Sequence, residues 1–172
     1  MAKNQESIVR NAAYRGCGCL LLIIGIGVMN GIALPLFLNS TNRSKQSEAK
    51  QYVSSMNKAQ QAYFAEKSVF SSSVNALGLG IKTETTNYKY SVRATKQTAF
   101  NYGVSKQPEL KSYVGGVFLV PVKKIDPNAG KDGITTISIF CEGDSPGTIK
   151  PAEPTYENGK SACGKGTTKV TR

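Results

Sequence analysis

The sequence predicts an α+β fold, in which one long N-terminal helix packs on an antiparallel sheet of about four strands and a disulfide-closed loop follows. Three observations carry this prediction. Residues 16–42 hold no charged side chain, residues 47–70 repeat apolar side chains at helical spacing, and the segments after residue 87 alternate apolar with polar residues. One amphipathic helix that covers one face of a sheet is the simplest α+β arrangement for such a pattern.

The first 42 residues predict a basic leader and a membrane-spanning helix. Residues 1–15 hold three basic side chains against Glu6, whereas residues 16–42 are uncharged and mostly apolar. About 20 apolar residues cross a bilayer as a helix, and the basic excess keeps the leader in the cytoplasm. The apolar run is too long for the core of a cleaved secretory signal. We therefore expect a single-pass anchor in the inner (cytoplasmic) membrane, with residues 43–172 exported as one globular domain, periplasmic or extracellular.

The helix is expected to continue beyond the membrane. Small or apolar residues recur at spacings of three and four and draw one stripe along a helix. The stripe consists of Ala49, Tyr52, Val53, Met56, Ala59 and Tyr63. The remaining positions predict a wet face with Lys45, Gln46, Lys50, Ser54, Ser55, Asn57, Lys58 and Gln61. Pro35 is expected to kink the helix rather than end it, because the lost hydrogen bond can be made up locally.

The rest of the chain reads as strands and then as an irregular segment. Alternating patterns bounded by Gly, Pro and Asn predict four strands, at residues 88–96, 100–105, 113–123 and 134–140. From Cys141 onward Gly, Pro, Ser, Thr and Lys dominate. We therefore expect an irregular C-terminal loop held by a disulfide rather than by a core.

The four cysteines fall into two groups. Cys17 and Cys19 lie at the cytoplasmic mouth of the apolar helix, where such cysteines are either acylated or simply tolerated. Cys141 and Cys163 lie in the exported part, where thiols are oxidised. Since only one pairing is available there, we expect a Cys141–Cys163 disulfide, which contributes about 3 kcal/mol to stability.

Two segments of the helix carry a resemblance to a known family. Residues 27–39, GVMNGIALPLFLN, and residues 47–70, SEAKQYVSSMNKAQQAYFAEKSVF, resemble the N-terminal helix of type IV pilins and pilin-like proteins, especially the cyanobacterial branch. Residues 112–121, 125–129 and 141–164 are similar to the same branch. The resemblance implies a pilin fold, a prepilin peptidase that removes the leader, and packing of the helix with other pilin-like subunits in a filament.

The family motif at the start of the apolar run is degenerate in this chain. Pilins carry a cleavage glycine, then an aromatic residue and one glutamate, in the pattern G-F-T-L-I-E. An ungapped alignment places the glycine on Ala13, the aromatic residue on Tyr14 and the glutamate on Gly18. A gapped alternative places the cut between Gly16 and Cys17 and also supplies no glutamate. The candidate cleavage points are therefore two, and neither is followed by the family carboxylate.

The missing carboxylate predicts a minor role. The resemblance implies that the family glutamate is a buried partner for the free amino group of a neighbouring subunit. An unpaired buried ion costs several kcal/mol. A chain with Gly18 at this position is expected to be a minor pilin or pseudopilin-like accessory of a pilus, DNA-uptake or type II secretion-like machine. Gly27 and Gly31 form a G-x-x-x-G pair that permits close helix packing beside Pro35.

The sequence is also compatible with a second class of protein, a binding module. The chain would then be an uncleaved, single-pass membrane-anchored binding module that contacts DNA, envelope polysaccharide or another protein. The net charge of +11 would suit DNA or an anionic polysaccharide, but the lysines form no tight cluster, which favours a solubilising surface. An enzyme is not expected, because the chain has no histidine and few carboxylates. No cofactor or metal is expected either.

Overall fold

The computed structural model describes residues 40–128 and 133–171. The chain divides into two units, Met1–Thr41 and Asn42–Arg172, and the description below concerns the second. The predicted leader and nearly all of the predicted membrane-spanning run lie outside the described residues. Within the described ranges, no helix combines the length and the apolar character that crossing a membrane requires.

The first element of this unit is helix α1, described from residue 42 to residue 67. The predicted apolar stripe faces the protein interior: Ala49, Val53 and Met56 are fully buried, and the other three members of the stripe pack half-buried against the same cluster. The backbone turns into the left-handed region directly after the helix, at Ser68, whose N–H donates to the carbonyl of Phe64 at 2.8 Å. The amphipathic helix is therefore confirmed.

An antiparallel sheet forms the centre of the domain. Its strands are β1 (Tyr88–Ala94), β2 (Thr98–Ser105), β3 (Tyr113–Pro121), β4 (Ile134–Gly143) and β7 (Thr167–Lys169), in the order β1-β2-β3-β4-β7. The short strands β5 (Thr155–Glu157) and β6 (Lys160–Ala162) pair as a separate hairpin. Single 3-10 turns lie at Asn75–Leu77 and Val122–Lys124.

The predicted α+β fold and its antiparallel sheet are confirmed, but the strand count needs correction. The sheet has five strands rather than about four, because the C-terminal segment supplies β7. This segment is also not an irregular loop throughout, since it contains the β5–β6 hairpin as well. Its short Thr-, Ser- and Lys-containing strands lack hydrophobic alternation. Strand β7 is defined by its backbone pairing with β4, which is distant in sequence, whereas β5 and β6 pair with each other locally.

The strand register gives the sheet two covered faces. Side chains that alternate along a strand point to opposite faces. One face packs under α1 and buries Tyr88, Tyr90, Leu110 and Tyr113 together with the α1 stripe. The other face buries Phe100, Tyr102, Val114, Phe118, Val120, Ile139 and Cys141. The sheet is therefore the middle of three layers, between α1 and the C-terminal segment.

The helix approaches the sheet closely over Gly115. A Cβ atom at Gly115 would lie 2.0 Å from Asn57 Oδ1. Asn57 Oδ1 accepts a hydrogen bond from Asn101 Nδ2 at 2.8 Å, and its Nδ2 donates to the carbonyl of Ile139 at 3.0 Å. Asn57 is buried, so its assignment to the wet face is wrong. The absence of a side chain at Gly115 makes room for the amide, and the two bonds satisfy it.

We predict that Gly115→Ala destabilises the domain by about 2 kcal/mol or more, because the new methyl group overlaps the Asn57 amide. The free energy of unfolding from a urea titration measures the change. Gly133→Ala is the matched control, since its Cβ would meet Val122 Cγ2 at an ordinary 3.4 Å. A second substitution, Asn57→Ala, should recover part of the loss. Equal stabilities of the two alanine variants would contradict the close docking of α1.

Candidate functional site

Charged groups connect α1 to the end of β4. Glu142 accepts hydrogen bonds from Lys50 Nζ at 3.0 Å and from Lys111 Nζ at 3.3 Å. Burial alone would raise the pKa of Glu142, but the hydrogen bonds from the two ammonium groups outweigh it and hold this pKa below its ordinary value. Lys50 therefore forms an ion pair with β4, whereas the wet-face pattern predicted a lysine in contact with water alone. Lys58 is exposed, as expected for the wet face.

Neutral hydrogen bonds continue this contact along α1. Gln46 Oε1 accepts from the hydroxyl of Tyr113 at 3.0 Å, and Gln61 Nε2 donates to the carbonyl of Thr136 at 3.2 Å. Both glutamines were expected on the wet face and instead bind the sheet. Burial raises the pKa of Tyr113 and of Tyr90 well above the ordinary range, so both phenols stay protonated as donors. The helix is thus joined to the sheet by polar groups as well as by its apolar stripe.

The second face of the sheet is covered by residues 144–166, named here the C-terminal layer. The predicted disulfide is confirmed: Cys141 and Cys163 are bridged, with their Cα atoms 5.9 Å apart. Pro154 is buried directly over Gly116, where a Cβ atom would lie 2.6 Å from its ring. The rings of Tyr156 and Phe118 lie 6.0 Å apart. A packed core therefore holds this layer in addition to the disulfide.

A charged cluster joins the C-terminal layer to β1 and β2. The carboxylate of Glu153 accepts from Arg93 Nε at 2.7 Å, and also from Arg93 Nη2 and from the hydroxyl of Tyr102. Hydrogen bonding from Arg93 lowers the pKa of Glu153, and burial raises the pKa of Tyr102. Lys150 Nζ lies 3.8 Å from the centroid of the Tyr102 ring, within cation–π range. The cluster clamps the layer to the sheet around one carboxylate.

The described residues contain no candidate metal centre. Within residues 40–128 and 133–171, no group of three or more His, Cys, Asp or Glu side chains could hold a metal ion. Cys141 and Cys163 are the predicted site residues that the structure brings together. The others lie outside the described residues: Ala13, Tyr14, Gly16, Cys17, Gly18, Gly27, Gly31 and Pro35.

Several residues that hold the layers together were not predicted from the sequence. Gly115 and Gly116 carried a usable signal, because glycine inside a strand often marks the close approach of another element. Asn57 packs against Gly115, and Pro154 packs against Gly116 on the opposite face of the sheet. No comparable signal marked Glu153, since its partners lie about 50 to 60 residues earlier in the chain.

Comparisons with known proteins agree with this architecture. The family model described as type IV pilin-like G and H matches residues 46–164. The chain is also 35% identical over 69 residues to the type IV major pilin protein PilA of Myxococcus xanthus (strain DK1622). That match covers 40% of this chain and 31% of the relative's own length. No solved structure matches the chain.

We predict that Glu153→Gln lowers the free energy of unfolding at pH 7 by about 0.5–1 kcal/mol, because the ion pair with Arg93 is only partly shielded from water. The folded pKa of Glu153 is depressed, so its contribution is complete above the ordinary value of 4.5 and is lost as the pH falls through the folded pKa. The difference in the free energy of unfolding between the unmodified protein and Glu153→Gln should therefore disappear at low pH. Denaturant titrations from pH 7 to pH 2 measure this.

The matched control for this prediction is Glu157→Gln, which changes an exposed carboxylate in the same layer. At pH 7 its stability should equal that of the unmodified protein, because the carboxylate is exposed and forms no ion pair among the described residues. A stability gap for Glu153→Gln that stays constant down to pH 2 would show that the effect does not come from the carboxylate charge.

Proposed function

Since the chain belongs to the type IV pilin-like G and H family, we propose that it is a minor or accessory subunit of a pilus, or of a related DNA-uptake or type II secretion-like machine. The family match and the PilA relative support the coarser statement, a pilin-like pilus subunit. The family is structural rather than enzymatic, which supports a non-catalytic role. The described domain agrees with such a role, because its groups are arranged to fix layers together rather than to transform a substrate.

Gly18 carries the proposed minor role. A neighbour's free α-amino group, buried among apolar helices, needs a counter-charge, and glycine provides none. Such a subunit suits a position with no subunit above it, such as a filament tip, or a place in the membrane beside the machine. The proposed partners are other pilin-like subunits, contacted through the N-terminal helix, together with the inner membrane and a prepilin peptidase.

Two other roles compete with this proposal. The name of the PilA relative favours a major subunit, although the match spans only 31% of that protein. The degenerate cleavage motif around Ala13 and Gly16 favours an uncleaved, membrane-anchored module whose basic domain contacts DNA, polysaccharide or another protein. The three roles differ in the state of the leader and in the amount of the chain in a filament, so both quantities can be measured.

We predict that the chain isolated from its native membrane has lost its leader, either before Tyr14 or before Cys17, and that purified filaments contain it in substoichiometric amounts. Intact-mass analysis gives the cleavage point, and quantitative mass spectrometry gives the ratio to the most abundant pilin. An intact leader together with absence from filaments would favour the membrane-anchored module. Abundant filaments made of this chain alone would favour a major subunit.

Gly18→Glu tests the reason for the minor role. We expect the variant to be incorporated along filaments in larger amounts, because the carboxylate can pair with a neighbour's amino group and is costly in lipid without that pair. The matched control is Leu22→Glu, which places the same charge four residues further along the chain. Equal incorporation of both variants would show that the position of the carboxylate is unimportant.

A further inference from the structure

Most of strand β4 lies at an open edge of the sheet. β4 pairs with β3 over nine residues, from Ile134 to Glu142. On its other side it pairs with β7 only at Cys141, Glu142 and Gly143, and Val170 N–H adds a bond to Phe140 O. Among residues 40–128 and 133–171, no strand therefore lies beside residues 134–139 on this side. An unpaired edge presents backbone donors and acceptors that can pair with another chain.

The register shows which backbone groups are available. The carbonyl of Phe140 points to the β7 side, since it accepts from Val170 N–H at 2.9 Å. In an antiparallel ladder every second residue points its backbone groups to the same side, so Ile134, Thr136 and Ser138 also point outward. The bond from Gln61 Nε2 to Thr136 O agrees with this orientation. No hydrogen bond among the described residues engages the outward backbone groups of Ser138.

A basic cleft of about 270 Å³ lies at this edge, between α1 and β4. Lys58 of α1 and Lys169 of β7 are among its lining residues, and both are exposed. Neither lysine forms an ion pair with a carboxylate of the described residues. Lys50, on the same helix, is instead neutralised by Glu142. The open edge therefore lies beside two positive charges that no carboxylate of the described residues pairs with.

We propose that this edge binds an extended acidic segment of a partner protein, which adds to the sheet as a further strand in line with β7. Its backbone would pair with the outward groups of Ser138, and its carboxylates would meet Lys58 and Lys169. Strand addition of this kind gains affinity from main-chain bonds, while side chains select the partner. The proposal goes beyond the role in a filament and does not depend on it, since it needs only the folded domain.

The direct test uses two short peptides on the full-length chain in detergent micelles. One peptide alternates valine with glutamate, and the other replaces each glutamate by lysine. We expect the acidic peptide to bind about tenfold more tightly by fluorescence anisotropy, a difference that added salt reduces. We also expect it to slow amide hydrogen exchange at Ser138. Equal binding of both peptides, or unchanged exchange at Ser138, would overturn the proposal.

Substitutions then separate the two sources of affinity. Lys58→Ala with Lys169→Ala should remove most of the preference for the acidic peptide, whereas Lys82→Ala with Lys160→Ala, which changes two exposed lysines elsewhere, should leave it intact. Ser138→Pro removes an outward N–H without touching the bonds to β3, and proline is tolerated at such edge positions. It should abolish binding by both peptides, and retained binding by the folded variant would refute strand addition.

Discussion

The whole arrangement depends on how closely α1 can approach the sheet. The helix is docked by the buried amide of Asn57, which sits over Gly115 and bonds both Asn101 and the carbonyl of Ile139. A buried amide is costly unless it is paired, so this contact specifies one position of the helix and penalises others. Asn101 Oδ1 is the exception: it is the one buried side-chain acceptor without a partner among the described residues. The remaining contacts of α1 follow from this position.

With α1 docked, the second face of the sheet needs its own cover. The C-terminal layer provides it through three independent contacts: the disulfide at Cys141, the ring of Pro154 over Gly116, and the carboxylate of Glu153 between Arg93 and Tyr102. Helix α1 and the C-terminal layer, which cover opposite faces of the sheet, are both attached to the end of β4. There Cys141 is bridged to the layer and Glu142 binds Lys50 of α1. The disulfide to the layer and the ion pair to the helix therefore involve adjacent residues of one strand.

This construction suits a protein that presents surfaces. Both faces of the sheet are covered internally, so the surfaces open to a partner are the edges and ends of the sheet and the outer faces of α1 and of the C-terminal layer. The edge of β4 differs from the edge at β1, where Thr83 and Thr85 fold back to bond Tyr90 and Tyr88. A pilin-like protein that assembles with other subunits needs surfaces, such as the β4 edge, that its own chain leaves uncovered. The proposed role of Gly18 concerns the helix, whereas the proposed role of the β4 edge concerns the domain.

The sequence by itself determined the features that depend on local periodicity and composition: the α1 stripe at Val53 and Met56, the first four strands, and the family. It also paired Cys141 with Cys163, because only one partner was available. Only the tertiary structure decided the buried place of Asn57, the bonding of Glu153 and the strand β7. A polar side chain is buried when a distant residue both makes room for it and bonds it, and short polar strands form when a distant edge accepts them. Neither condition is visible in local sequence.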